Sequence, residues 1–145
     1  MNWNGDMASL RNELESGGWS CVIGKNSEMR TFSKRGVADL YYLLKSEPDF
    51  LYNSYIADKV VGKGAAALMV LGKISRLYTR IISTPALRLL QNSGITVEYD
   101  TEVEYIVNRS KTGRCPVETL CDGIESPSAM LPLIDEFMLL QKTKG

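Results

Sequence analysis

Between Asn53 and Tyr99 the chain reads strand, helix, strand, helix, strand, and no other feature narrows the choice of folds as far. Asn53 to Val61 and Arg76 to Ile82 are rich in β-branched and aromatic residues, and Thr96 to Tyr99 is a third, shorter run of the same kind. An alanine-rich helix from Ala65 to about Gly72 fills the first gap. A helix opened by Ser83-Thr84-Pro85 and closed by Asn92-Ser93-Gly94 fills the second, with a hydroxyl at the cap and proline in the first turn as its start signal. Strands separated by whole helices pair in parallel through right-handed crossovers. This predicts adjacent parallel strands ending near Asp58 and Ser83, with the Gly62 and Pro85 helices starting at one common edge.

The flanks complete the outline. Asp6 is placed to cap a helix from Met7 to about Glu15, with Leu10 and Leu14 on one face and Ser16-Gly17-Gly18 as its stop. Trp19 to Gly24 and Glu28 to Ser33 read as short strands joined by a hairpin loop, Lys25 to Ser27. Val37 to about Ser46 carries Leu40, Leu43 and Leu44 at helical spacing and ends before Pro48. After Tyr99 come an irregular stretch from Glu102 to Asn108, a polar link from Arg109 to Pro116, and a terminal helix from about Ser126. The expected fold class is α/β, a three-layer α/β/α sandwich whose mixed sheet is opened by a β-hairpin. It forms one domain over 1–145, with 1–18 a helical extension and 126–145 the C-terminal helix.

Composition removes several functions. Histidine is absent from the 145 residues, which takes away the commonest metal ligand and acid–base group. Seventeen basic residues balance seventeen acidic ones, so no bulk positive field draws in nucleic acid. No apolar run approaches the roughly 18 residues of a membrane span. The first ten residues lack a signal-peptide pattern, and cytoplasmic residence is expected. Cys21, Cys115 and Cys121 are an odd set without zinc-knuckle spacing, read as reduced thiols, and neither metal nor cofactor is expected.

The candidate site gathers at the predicted common edge. Gly62, Lys63 and Gly64 open a helix, where free N–H groups and the dipole favour an anion and the glycines permit close approach. A tight strand-to-helix turn with a solvated lysine explains the same residues. Asp58, read at the C-terminal end of its strand, suits hydrogen bonds from a base or ribose, pairing with Lys63, or a plain surface acid. Ser83 closes the neighbouring strand and doubles as a helix cap. Cys115, beside Arg114, is a weak candidate nucleophile, a buried inert thiol being the commoner fate. Glu118 is a polar site group or a helix-start acid, and Arg109 a ligand cation or half of a surface ion pair.

Four segments carry a family resemblance: Asp58 to Ala67, Ile82 to Leu87, Asn108-Arg109 and Gly113 to Glu118. On these, across Trp19 to Asp122, the chain resembles an uncharacterised bacterial family, domain of unknown function 1893, and the resemblance implies the cytidine-deaminase-like fold. Zinc deaminases of that fold place H-x-E and P-C-x-x-C at the two helix starts. Here those starts read Gly62-Lys-Gly-Ala-Ala and Pro85-Ala-Leu-Arg-Leu, so every ligand and the proton shuttle are missing and zinc-dependent deamination is expected to be absent. The reading that follows is a metal-free domain binding a nucleotide-like or other anionic metabolite. The alternative is a structural or protein-interaction module, since the neutral charge balance and the two terminal helices suit a homo-oligomer.

Overall fold

The computed structural model describes residues 2–34, 37–106 and 116–144. Its elements run α1 (Met7–Gly17), β1 (Cys21–Lys25), β2 (Glu28–Phe32), α2 (Ala38–Ser46), α3 (Pro48–Leu51), β3 (Tyr55–Val61), α4 (Lys63–Gly72), β4 (Arg76–Ser83), α5 (Thr84–Asn92), β5 (Thr96–Val103), α6 (Pro116–Leu120) and α7 (Pro127–Lys144). Asp6 caps α1 through Oδ1, which accepts the Ser9 N–H at 2.9 Å. The strands form one mixed sheet in the order β2-β1-β3-β4-β5. β1 is antiparallel to both β2 and β3, whereas β3, β4 and β5 are parallel. The expected pairing of the strands that lead into Gly62 and Pro85 is therefore present.

Helices cover both faces, unequally. On one, Leu40 and Leu43 of α2, Phe50 and Leu51 of α3, most of α4 and α5, Val117 of α6 and Met130 and Ile134 of α7 pack with Ile23, Ile56, Val61, Leu77 and Ile82 of the sheet. On the other, α1 alone sets Leu10 and Leu14 against Val22, Met29, Ala57 and Tyr78. The alanines of α4 are buried because this central helix has α2, α5, α6 and α7 around it, and small side chains permit that crowding.

Two boundaries depart from expectation. β5 runs on to Val103, held by parallel pairing with β4 as far as Ser83, although its own residues look irregular past Tyr99. Asp58 does not end its strand. It is the fourth residue of β3, because pairing with β4 continues through Val61–Ile82.

The two central strands share an irregularity that sequence alternation did not suggest. Ile56 and Val61 face the same core although they are five positions apart, an odd step; so do Leu77 and Ile82 of β4. Strict alternation would put such residues on opposite faces, so each strand slips phase once, at matching register positions. Polar side chains bridge both slips. Asp58 Oδ1 accepts the Val60 N–H in a long bond of 3.4 Å, and the Thr79 hydroxyl donates to the Ile81 carbonyl at 3.0 Å. Asp58 and Thr79 are themselves register partners.

Candidate functional site

β3 and β4 each hand directly into a helix, so α4 and α5 begin side by side at the C-terminal edge of the sheet. The helix starts are built differently. α5 is capped from within its own sequence: Ser83 is extended at φ −78° and ψ 151°, its hydroxyl accepts the Ala86 N–H at 3.3 Å, and Pro85 follows in the first turn. Thr84 ties the same start to the end of β5, donating to Glu102 at 2.7 Å and to the Val103 carbonyl at 3.2 Å.

α4 has no such cap, because Gly62 occupies the cap position and has no side chain. Its partner arrives from 55 residues away. Glu118 Oε2 accepts the Lys63 backbone N–H at 2.6 Å and the Ser83 hydroxyl at 2.9 Å, while Oε1 accepts the Ile106 N–H at 2.7 Å. A carboxylate on the free N–H groups of a helix start is the favourable arrangement that the helix dipole and the unpaired amides both call for. The protein's own chain fills the seat expected for an external anion. Ser83 serves both helices, capping α5 and holding the carboxylate that caps α4.

The glycines explain how α6 comes so close. A Cβ at Gly62 would lie 2.6 Å from Glu118 Oε2 and 3.3 Å from Ile106 Cγ1; one at Gly64 would lie 2.2 Å from Val117 Cγ1. Both positions are thus shaped by Val117 and Glu118.

Lys63 and Glu118 are 6% and 4% exposed, and they are the charged side chains buried among the described residues. The Lys63 ammonium has no ion pair within 4.0 Å among those residues, although a cation at a helix start is opposed by the dipole.

Asp58 stands apart from this cluster, its neighbours being Cys21, its partner across the β1–β3 ladder, and the backbone of its own strand. Part of its surface touches solvent, yet the protein crowding the carboxyl outweighs that contact. Burial pushes its pKa up to about 7, against the pull of the Val60 and Lys59 N–H groups and of a hydrogen bond with Cys21, with Asp39 adding a smaller push upward. Burial also drives the Cys21 thiol well above its ordinary value, helped by the Asp58 and Asp39 carboxylates. Pairing of Asp58 with Lys63 is not found.

Gly62, Lys63, Gly64, Ser83 and Glu118 thus come together, while Asp58 lies one element back. Asn108, Arg109 and Cys115 lie outside the described residues. Sequence reasoning missed Ile106, which donates to Glu118, and the Cys21–Thr79 row around Asp58. The doublets Val60-Val61 and Ile81-Ile82 were the available signal for the latter, since they break alternation at the same height in two neighbouring strands. Among the described residues no group of three or more His, Cys, Asp or Glu could hold a metal ion, and no helix is long and apolar enough to cross a membrane.

Comparison with known proteins agrees with this architecture. The crystal structure of a DUF1893 family protein, TM1506, from Thermotoga maritima superposes with a TM-score of 0.81 at 21% identity, covering 94% of this chain and 92% of that one. RibD of Acinetobacter baumannii gives a TM-score of 0.43 at 15% identity over 65% of this chain and 34% of that one, a likeness that assigns neither fold nor function. No curated protein matches the chain. The family model described as a domain of unknown function, DUF1893, matches residues 9–138, and the chain belongs to that family.

Proposed function

We propose that the chain is a metal-free, deaminase-like domain that binds a small anionic, nucleotide-like metabolite at the sheet edge where α4 and α5 begin. The observation that carries this reading is the burial of Lys63 and Glu118 at a single helix start. Burying a charge costs several kcal/mol in general, and such groups concentrate where a protein does chemistry or binds. Glu118 already neutralises the α4 terminus, so the ligand's negative group addresses the Lys63 ammonium. The carboxylate keeps lone-pair capacity beyond its three donors for an N–H or O–H of the ligand. Gly62, Gly64 and Ser83 hold this pair in place, and Asp58, one element back on β3, completes the proposed set. The sequence adds Arg109 and Cys115 to the same set of ligand-binding candidates.

Thermal denaturation with a panel of nucleoside mono- and diphosphates, sugar phosphates and inorganic phosphate tests the reading. A ligand at about 100 times its dissociation constant stabilises by about 2.7 kcal/mol, a shift of several degrees for a domain of this size. Lys63→Met keeps the buried stem, removes the charge and abolishes the shift. A panel that leaves the melting temperature unchanged, or a shift that survives Lys63→Met, contradicts the proposal.

A further inference from the structure

The row formed by Lys59, Arg80 and Asp100 divides the sheet. Pairing of β3 with β4 is continuous as far as Asp58–Thr79 and resumes at Val60–Ile81; pairing of β4 with β5 reaches Thr79–Tyr99 and resumes at Ile81–Thr101. The interruption therefore crosses all three parallel strands at one height. Before it the sheet is five strands wide. The β1–β3 ladder reaches no further than Cys21–Asp58, with one added bond from the Lys59 N–H to the Ser20 carbonyl at 3.2 Å. Beyond it three strands remain, and two of them lead directly into α4 and α5. A line of missing ladder contacts between a broad half and a narrow half is a place where a sheet can flex.

We propose that this line is a hinge under the α4 start and that the proton on Asp58 sets it. Asp58 Oδ1 accepts the Val60 N–H across the interruption at 3.4 Å, and the same carboxyl bonds Cys21 on the last rung of β1. Ionised, the group accepts from Val60, Lys59 and Cys21 together. Protonated, it carries a donor of its own and is a weaker acceptor, so the long bond to Val60 is the one released. The equivalent strap on β4, from the Thr79 hydroxyl to the Ile81 carbonyl at 3.0 Å, does not titrate and is the fixed side of the hinge. The groups around the carboxyl are few. Cys21 faces it from β1 and stays a thiol, its own ionisation being pushed well above the ordinary range. Asp39 acts on it from α2, its carboxylate accepting the Lys34 N–H at 3.1 Å, and β4 offers the uncharged Thr79. Among the described residues neither Lys59, Arg80 nor any other cation pairs with Asp58 within 4.0 Å. Burial, the largest influence, places its pKa at about 7. The charge costs the fold as a whole yet tightens this one bond. Control of ligand binding through the hinge rests on the ligand reading above; the hinge itself does not.

Amide chemical shifts and hydrogen exchange of the ligand-free protein, followed residue by residue across neutral pH, decide it. The expected result is that the Val60, Val61 and Lys63 amides titrate together with a midpoint near 7, while those of Ile56 and Tyr78, before the interruption, stay unmoved. Protection of the Val60 N–H, corrected for the intrinsic exchange rate, rises by about tenfold on ionisation as a neutral bond becomes a charge-assisted one. Asp58→Asn removes the common midpoint. Asp39→Asn keeps the pattern and lowers the midpoint, since the Asp39 carboxylate pushes Asp58 upward. Circular dichroism confirms that each variant is folded. Shifts confined to Lys59 and Val60 overturn the proposal, as does a common midpoint that survives in folded Asp58→Asn. A metabolite panel without effect on the melting temperature would end the ligand reading and leave this result standing.

Discussion

α4 and α5 start side by side at one sheet edge and solve the same physical problem in opposite ways. Each must satisfy backbone N–H groups that no intrahelical carbonyl reaches. α5 does so with the residue next to it, Ser83, whose hydroxyl accepts the Ala86 N–H from within the same turn. α4 begins on a glycine and relies on Glu118 of a helix that forms far along the sequence. A locally capped helix start can form early and alone, whereas a remotely capped one exists only when α6 docks. The difference locates where stability is concentrated and where it can be switched.

The largest expected effect is at the remote cap. Glu118→Ala leaves the Lys63 amide, the Ile106 amide and the Ser83 hydroxyl without their shared acceptor. With hydrogen bonds to a charged group worth about 1.5–3 kcal/mol each, a loss of about 3–5 kcal/mol is expected in urea denaturation. A loss under 1 kcal/mol would show that α4 does not depend on α6.

Ser83→Ala removes the α5 cap and one of the three bonds to Glu118 together, and about 2–3 kcal/mol is expected. A double-mutant cycle with Glu118→Ala separates the two parts: the shared bond appears as coupling, and the local cap as the remainder.

Gly64→Ala would improve an ordinary helix, yet here the added Cβ meets Val117 at 2.2 Å. Destabilisation by about 2 kcal/mol is expected from overpacking. Gly64→Ala combined with Val117→Ala recovers part of it if α6 docking is the cause, and none otherwise.

The strands feeding the two helices differ in the same sense, since Asp58 on β3 titrates and its partner Thr79 on β4 does not. The folded Asp58 carboxyl holds its proton up to about pH 7, while the unfolded one releases it near the ordinary value of 3.8. The native state therefore binds the extra proton between those limits. The stabilisation is complete below about pH 4 and is lost as pH rises through 7, by about 1 kcal/mol after allowing for the solvent that the carboxyl touches. Asp58→Asn should flatten the melting-temperature profile over this window; an unchanged slope would assign the titration to another group.

The same contrast explains what could be read from the chain. Caps, periodicity and breakers act over a few residues, so α1, α5 and the β3–α4–β4–α5–β5 succession were legible in Asp6, Ser83, Pro85 and the alternating strands. Gly62-Lys63-Gly64 marked the right place, but the group seated there was hidden, because no local rule links Lys63 to a glutamate 55 positions on. Asp58 was displaced from the middle of its strand to the end, since the end of β3 is set by pairing with β4 rather than by its own residues. The extension of β5 to Val103 has the same origin.

Chemical rescue of the remote cap tests the central claim most directly. Removal of the Glu118 side chain in Glu118→Ala opens a space lined by the Lys63 N–H, the Ile106 N–H and the Ser83 hydroxyl, the donors that a small carboxylate would take. Melting temperatures of wild type and Glu118→Ala are compared in matched formate, acetate and chloride. If Glu118 is the anion that completes α4, formate and acetate raise the melting temperature of Glu118→Ala by several degrees over chloride and leave wild type unmoved. Equal responses of the two proteins to all three salts would contradict it.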